Sequence, residues 1–389
     1  MKQDPLIVVG AGLAGWTTVR EFRKHDPQTP VIVITADDGD FYAKPSLSNA
    51  LAQGKTAAQL VSTPSARMVE TLKVTLLQRT RVEGIDTATR SVLTSKGSFG
   101  YRQLVLATGA HPIRVPLAGD AADAVLSVNH LDDLSRLHAA LKPNAHVLVM
   151  GAGLIGCEFA NDLAIAGHRV TVVDPSPRAL AALLPAEASQ ALVDALTPLG
   201  VRFHFGRSVQ SVQRAGDGFV GRLAPAAGVD ADDADAPITA DVVLSAVGVR
   251  ADTALAQAAG IACERGIAVN AQLQTSANGV YALGDNAQYA SAGGRTLPYV
   301  MPIMGAAKVL GAVLTGQNAR LDFPLMPVAV KTPALPLVVA PPAAGIAGTW
   351  AQPEPGLWQF TDDAGRVRGF VLAGRQTARR IEQARLLQA

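Results

Sequence analysis

The chain is poor in cysteine: Cys157 and Cys263 are the two it has in 389 residues, and they form no Cys-x-x-Cys pair. A disulfide framework and a thiol-based redox centre are therefore not expected, and a reducing, cytoplasmic setting fits. An excess of one charge is lacking too. The 34 Lys and Arg balance 32 Asp and Glu to a net +2, which sets aside a nucleic-acid surface held by phosphate neutralisation. Long apolar runs are missing as well. Met1 to Pro5 leads into about four apolar residues, far below the roughly 18 that span a bilayer, and no secretory signal is visible. The longest later stretch, Ala334 to Gly348, is broken by Pro336, Pro341 and Pro342, which a spanning helix tolerates poorly. A soluble protein with no membrane insertion is expected. His111, His130, His138 and His204 have no metal-ligand spacing, so no metal site is expected. What the chain does have is 49% hydrophobic content, ample for two or three domains that each bury a core.

An internal echo organises the sequence. Gly10-Ala11-Gly12-Leu13-Ala14-Gly15 returns as Gly151-Ala152-Gly153-Leu154-Ile155-Gly156, which implies two nucleotide-binding folds. Each copy follows a β-branched-rich run, Leu6 to Val9 and Val147 to Met150, and each enters a helical pattern. In such a turn the first glycine permits the tight bend, the second lets the backbone approach a pyrophosphate, and the third lets helix pack on strand. The helix N-terminus then faces the phosphates. One Gly-x-Gly-x-x-Gly is weak, because such turns also occur without ligand; two copies in this context are strong. A second strand follows each helix, Val31 to Ile34 and Arg169 to Val173, and each ends near an acid. Asp174 stands close to the ~20-residue spacing at which a carboxylate holds ribose hydroxyls and repels a 2′-phosphate, so the second fold should prefer NADH to NADPH. In the first fold Ala36-Asp37-Asp38 blurs the assignment. Asp37 is taken as the ribose contact, with a plain turn carboxylate as the alternative.

Leu104-Val105-Leu106-Ala107-Thr108-Gly109 closes the first segment, Val243-Leu244-Ser245-Ala246-Val247-Gly248 closes the second, and Val280-Tyr281-Ala282-Leu283-Gly284-Asp285 follows. This ordered set resembles the FAD-dependent pyridine nucleotide-disulfide oxidoreductase superfamily through nearly the whole chain. The resemblance implies an α/β protein with two Rossmann-like, three-layer ββα nucleotide-binding domains and a small α+β C-terminal domain. The NAD(H)-binding domain, 112–248, would be inserted into an FAD-binding domain of 1–111 and 249–321, with the C-terminal domain over 322–389. Finer features, Tyr42 to Ser48, Gly156 to Asp162, Tyr299 to Pro302 and Val330 to Pro333, are similar to the rubredoxin and flavorubredoxin reductases. Related ferredoxin reductases often carry arginine and lysine where this chain has Lys44 and Asn49, which favours the rubredoxin branch. By the same resemblance, FAD would contact Gly10, Gly12, Leu13, Ala14, Gly15, Asp37, Lys44, Val82, Thr108, Gly109, Glu158, Asp285, Val300 and Lys331. NADH, as substrate, would contact Gly151, Gly153, Ile155, Gly156, Asp174 and Gly248. Asp285, read as a strand end opening a helix, would accept hydrogen bonds from the ribityl chain; an ordinary N-cap is the alternative.

Hydride transfer responds to the distance and alignment of the two rings rather than to a protein acid or base, so the protein should position and tune. Lys44 and Glu158 are the expected catalytic pair, a salt bridge beside the flavin N5 in which the cation steadies developing negative charge and the carboxylate fixes the cation. The plainer readings are a carboxylate near the positive end of a helix and a solvated loop lysine. Lys331 lies in an apolar sequence, Val328-Ala329-Val330 before it and Thr332-Pro333 after it, where an unpaired ammonium is costly. It should meet an anion, such as the reduced flavin over N1 and the C2 oxygen, or else snorkel to water. Between Gly10 and Cys157 there is no cysteine, which disfavours a thiol route to disulfides or oxygen. Electrons would then leave the flavin singly, for a small iron protein. Rubredoxin is the acceptor the resemblance implies; the alternatives are an NADH-dependent ferredoxin reductase and a flavoprotein whose NADH binding mainly regulates a partner. Near the end, Leu337-Val338-Val339 and Trp358-Gln359-Phe360 read as strands before a terminal helix. Arg375, Arg379, Arg380 and Arg385, partly offset by Glu382, read as a solvated face more than a docking patch. Asp230 to Asp235 reads as an acidic loop, and Cys157 as a small packed residue.

Overall fold

The computed structural model describes residues 4–228 and 236–387, so the acidic loop Asp230 to Asp235 lies outside the described residues. The chain divides into two compact units. Met1–Lys44, Val61–His111 and Val249–Met326 make the first, and Pro45–Leu60, Pro112–Gly248 and Pro327–Ala389 the second.

In the first unit, five parallel strands run in the order Val280–Ala282, Gln103–Leu106, Leu6–Val9, Val31–Ile34, Thr75–Leu77. The central strand is a continuous apolar run, with Leu6, Ile7 and Val8 fully buried, as expected of a parallel strand covered on both faces. The helix Leu13–His25 buries Trp16, Val19 and Phe22, and the Trp16 indole N–H donates to the Gly39 carbonyl at 2.9 Å. Helix Val300–Val313 packs on it through Gly311, where a methyl would come within 2.7 Å of Glu21. A three-stranded antiparallel sheet, Val82–Asp86, Ser91–Thr94 and Gly97–Gly100, packs near the first core, and a small sheet of Ile267–Val269, Ala287–Tyr289 and Arg295–Thr296 belongs to the same unit.

The second unit repeats the plan with four parallel strands, in the order Val201–Phe205, Arg169–Asp174, His146–Met150, Val242–Ser245. Its helix Leu154–Ile165 follows the second glycine turn. An antiparallel sheet of Arg207–Ala215, Gly218–Pro225 and Ile238–Ala240 lies beside them. The strands read near the chain end are present, in a five-stranded antiparallel sheet ordered Val328–Val330, Leu337–Ala340, Val367–Ala373, Leu357–Asp362, Gly348–Glu354. Its residues alternate between two cores. Leu337 and Val339 join Phe159 and Leu163 of the glycine helix, whereas Val338 and Ala340 face Ala384 and Leu387 near the last helix, Arg380–Leu386. That shared core is why residues 327–389 belong to the second compact unit. The molecule is thus mixed α/β, with two parallel nucleotide-type sheets and a small C-terminal sheet.

Candidate functional site

Register brings four strand ends of the first unit to one edge: Val9 stands opposite Ile34 and Leu106, and Leu106 opposite Ala282. The turns that follow meet there, the edge where open parallel sheets bind ligands. Gly10 has φ +107°, and a methyl on it would overlap the Ala107 carbonyl; a methyl on Gly15 would overlap the Gly10 carbonyl. Both glycines are demanded by the protein's own backbone. Gly12 differs, since a methyl there meets nothing within 4 Å. The helix beginning at Leu13 and Ala14 has no capping side chain and no acid in its first turn, so its N–H groups and positive end remain for an anion.

Other residues gather around that start. The Lys44 ammonium comes 3.9 Å from where a Gly109 methyl would stand. Asn286 Nδ2 donates to the Leu106 carbonyl and to Thr108 Oγ, each at 3.1 Å, and Thr108 Oγ donates to the Asp252 carbonyl at 3.2 Å. Gly284 packs 2.9 Å, as a methyl, from the Ala14 side chain, which sets Asp285 beside the helix start. Burial pushes the Asp285 carboxyl up, and the Lys44 ammonium opposes that shift. One expectation is corrected: Asp285 opens no helix. The Gly284 turn runs into the strand Ala287–Tyr289, whose tyrosine hydroxyl accepts the Gly284 N–H at 2.8 Å. Asp285 is therefore not an N-cap. Asp37 does what a turn carboxylate does, accepting from Thr35 Oγ at 2.6 Å and the Gly39 N–H at 2.9 Å. Val82 and Val300 open the strand Val82–Asp86 and the helix Val300–Val313, and no side-chain hydrogen bond ties them to the cluster.

The second unit repeats the turn. A methyl on Gly151 would come 2.7 Å from the Ala246 carbonyl, one on Gly156 would overlap the Gly151 carbonyl, and one on Gly153 meets nothing within 4 Å. The helix of Ile155 and Gly156 again starts with neither a capping side chain nor an acid in its first turn. Asp174 clamps the turn, accepting the Ala152 N–H at 2.6 Å and the Ser176 N–H at 2.7 Å. Gly248, at φ +114°, closes the loop that carries Ala246. In both units, then, the middle glycine leaves room outside an uncapped helix N-terminus, which fits a pyrophosphate. Cys157 is a packed thiol. It lies 3.3 Å from the Ala152 carbonyl, and burial, reinforced by Asp174 and Glu158, pushes its pKa up to about 12.

Glu158 gives the main correction. Its carboxylate was expected to hold Lys44, yet it is paired with the Lys331 ammonium. Oε1 also accepts the Lys331 backbone N–H at 2.9 Å, and Oε2 accepts Ser48 Oγ–H at 2.6 Å. At 2% exposure the carboxylate needs such partners, and the C-terminal sheet sharing the helix's core delivers Lys331 to it. The anion that Lys331 meets is accordingly Glu158. Its Nζ donates further to the Pro45 carbonyl at 2.8 Å and to Ser48 Oγ at 3.1 Å. Sequence reasoning missed Ser48, Asn161 and Asp162. Asn161 accepts the Ala334 N–H at 3.1 Å, and Asp162 accepts the Leu51 and Ala52 N–H groups at 3.1 and 2.8 Å. The available signal was three polar residues at one-turn spacing inside an apolar helix.

Outside these clusters, the arginines near the chain end are divided between a turn and a helix. Arg375 and Arg379 lie in the turn Gly374–Arg379, and Arg379 is held by Glu354 and Glu382. His111 pairs with Asp252 at 3.1 Å, and His130 joins a helix-capping box with Asp133. No described helix is long and apolar enough to cross a membrane.

Comparison with known proteins bears on the whole chain. Residues 4–308 match the family described as pyridine nucleotide-disulphide oxidoreductase, and residues 320–387 match the rubredoxin binding C-terminal domain. A rubredoxin-NAD(+) reductase of Alcanivorax borkumensis is 41% identical, covering 95% of each chain. A nitric oxide reductase FlRd-NAD(+) reductase of Aeromonas hydrophila is 38% identical, over 95% of this chain and 93% of that one. Among solved structures, the ferredoxin reductase for the CYP199A2 system from Rhodopseudomonas palustris is similar with TM-score 0.85 and 26% identity, over 97% of this chain and 93% of that chain.

Proposed function

Because the chain belongs to the pyridine nucleotide-disulphide oxidoreductase family, we propose that it is an FAD-dependent NADH:rubredoxin oxidoreductase. It moves hydride from NADH to FAD and delivers single electrons to rubredoxin or a similar small iron protein. The observation that carries this reading is the pair of open, uncapped glycine turns, one in each unit, on a chain whose last residues match a rubredoxin-binding domain. FAD, when bound, supplies the passage from a two-electron donor to a one-electron acceptor.

The residues bind, orient and tune. Gly10, Gly12, Leu13, Ala14 and Gly15 take the FAD pyrophosphate. Asp285, Lys44, Thr108 and Gly109 line the same edge, and Asp37, Val82 and Val300 complete the FAD set. Gly151, Gly153, Ile155 and Gly156 take the NADH pyrophosphate, with Asp174 on the ribose and Gly248 beside it. The Glu158–Lys331 pair serves the flavin: the carboxylate holds a cation in place, and the cation favours negative charge on the reduced ring at N1 and the C2 oxygen. By function the chain divides into an FAD domain of 1–111 and 249–321, an inserted NAD domain of 112–248 and a carrier-binding domain of 322–389, although by packing Pro45–Leu60 and Pro327–Ala389 join the second compact unit. Free thiols at Cys157 and Cys263 support a reducing cytoplasm as the setting.

The test is stopped-flow reduction by NADH and by NADPH, followed by mixing with rubredoxin, a ferredoxin and an oxidised dithiol. The expected result is fast reduction by NADH and fastest reoxidation by rubredoxin. Purified folded protein that takes up no flavin would defeat the reading, and preference for NADPH would remove Asp174 from it.

A further inference from the structure

Glu158, Asn161 and Asp162 project from one face of the helix Leu154–Ile165 and are 2%, 0% and 0% exposed. Each holds a different piece of chain. Glu158 takes Lys331 and Ser48, Asn161 takes the Ala334 amide, and Asp162 takes the amides of Leu51 and Ala52. Pro45 to Ala52 is thus anchored at both ends. Its far end is fixed by Asp162, and its near end by Lys331 Nζ on the Pro45 carbonyl and on Ser48 Oγ, with Ser48 in turn donating to Glu158.

We propose that Asp162 is a positioning residue for flavin reduction: by gripping the Leu51 and Ala52 amides it locks the 45–52 segment, whose Pro45 carbonyl and Ser48 hydroxyl hold the Lys331 ammonium on Glu158. The inference rests on the reductase reading, in which that pair serves the flavin. A buried carboxylate is a poor choice for stability alone, because its desolvation outweighs what two amides return. Burial pushes Asp162 up to about 6, even though the Ala52, Leu51 and Ala50 amides and the Lys331 charge all oppose the shift. The charge that acts on it is Lys331, from the C-terminal part; Glu158 stands one turn back on its own helix, and the 45–52 segment presents amides. What a carboxylate does that a neutral side chain cannot is accept both amides, one on each oxygen. Protonation turns one acceptor into a donor, and one of the two amides loses its partner.

The experiment uses the full-length, FAD-loaded protein with Asp162→Asn and Ser48→Ala, between roughly pH 5 and pH 8, spanning the titration. Single-turnover reduction by NADH is measured beside amide hydrogen exchange over 45–52 and thermal melting. In the wild type the rate should fall as pH drops through about 6, with the protection of the Leu51 and Ala52 amides, taken relative to their intrinsic exchange rate at each pH, falling in step. Asp162→Asn should be slower at the upper pH by about ten-fold, the scale of a small misplacement. It should lack the inflection, and it should melt no lower than wild type. Ser48→Ala keeps both amide bonds and should retain the inflection at a reduced rate. Asp162→Asn with the wild-type rate and profile would overturn the proposal, as would a rate loss tracking a lower melting temperature or loss of FAD. Wild-type protein that NADH does not reduce would instead overturn the reductase reading.

Discussion

At the scale of single residues, the site depends on which cation answers Glu158. Gln at that position still accepts the Lys331 N–H but leaves the ammonium without a counter-charge. Glu158→Gln should slow flavin reduction by roughly ten- to a hundred-fold, given what preorganised charge contributes to a reaction; an unchanged stopped-flow rate would remove Glu158 from the chemistry. Its cost in stability should be only part of the ~3–5 kcal/mol seen when a buried pair is broken, because the Lys331 side chain is 34% exposed and reaches water. Asp162 sets a pH dependence of stability. Its folded pKa is raised, so the stability it contributes is full below the ordinary carboxylate range and is lost as pH rises through about 6. Denaturant titrations should lose that contribution over this window in wild type and not in Asp162→Asn. Asp174 clamps the turn, and one variant tests both that clamp and the ribose contact proposed for it. Asp174→Ala should lower the preference for NADH over NADPH, and cost about 1 kcal/mol per lost amide bond in chemical denaturation. Glu158 and Lys331 were both legible as charges in apolar surroundings. Their pairing was not, because it joins residues 173 positions apart and no local pattern specifies such a contact.

At the scale of elements, the two strand–turn–helix units divide their glycines into those the protein's own backbone needs and those that leave open space. Gly15→Ala forces a methyl onto the Gly10 carbonyl and should unfold the first unit or leave it badly destabilised. Gly12→Ala meets open space, so the apoprotein should melt within about 1 kcal/mol of wild type in stability while losing FAD, seen as the yellow absorbance. Gly153→Ala should keep FAD and raise the KM for NADH. Equal loss of fold in Gly12→Ala and Gly15→Ala would refute this division. These turns were readable because a bend with no room for Cβ constrains residue type directly. The stretch after Gly284 was not readable in the same way. A Gly-Asp pair after a strand is compatible with a helix start, and what directs the chain into a strand is a hydrogen bond from the Gly284 amide to the buried Tyr289 hydroxyl.

At the scale of the molecule, the C-terminal sheet completes the second unit's core as well as matching a carrier-binding domain. Removal of residues 327–389 strips Val330, Leu337, Val339 and Trp358 from the core and leaves Glu158 buried without its cation. Such a truncation should therefore aggregate or lose NADH binding, in gel filtration and NADH titration. A truncated protein that still reduces ferricyanide with NADH at the wild-type rate would show the sheet to be a separable appendage.

The amino-acid order alone determined the two nucleotide folds, their glycine turns and the family, because each is written in residues close together along the chain and imposed by backbone sterics. Tertiary structure decided which buried charge meets which, that the 45–52 segment is gripped by Asp162, and that the last sheet shares a core with the second glycine helix. Those outcomes follow from burial, which obliges each desolvated charge to take whatever partner the packed elements bring within reach.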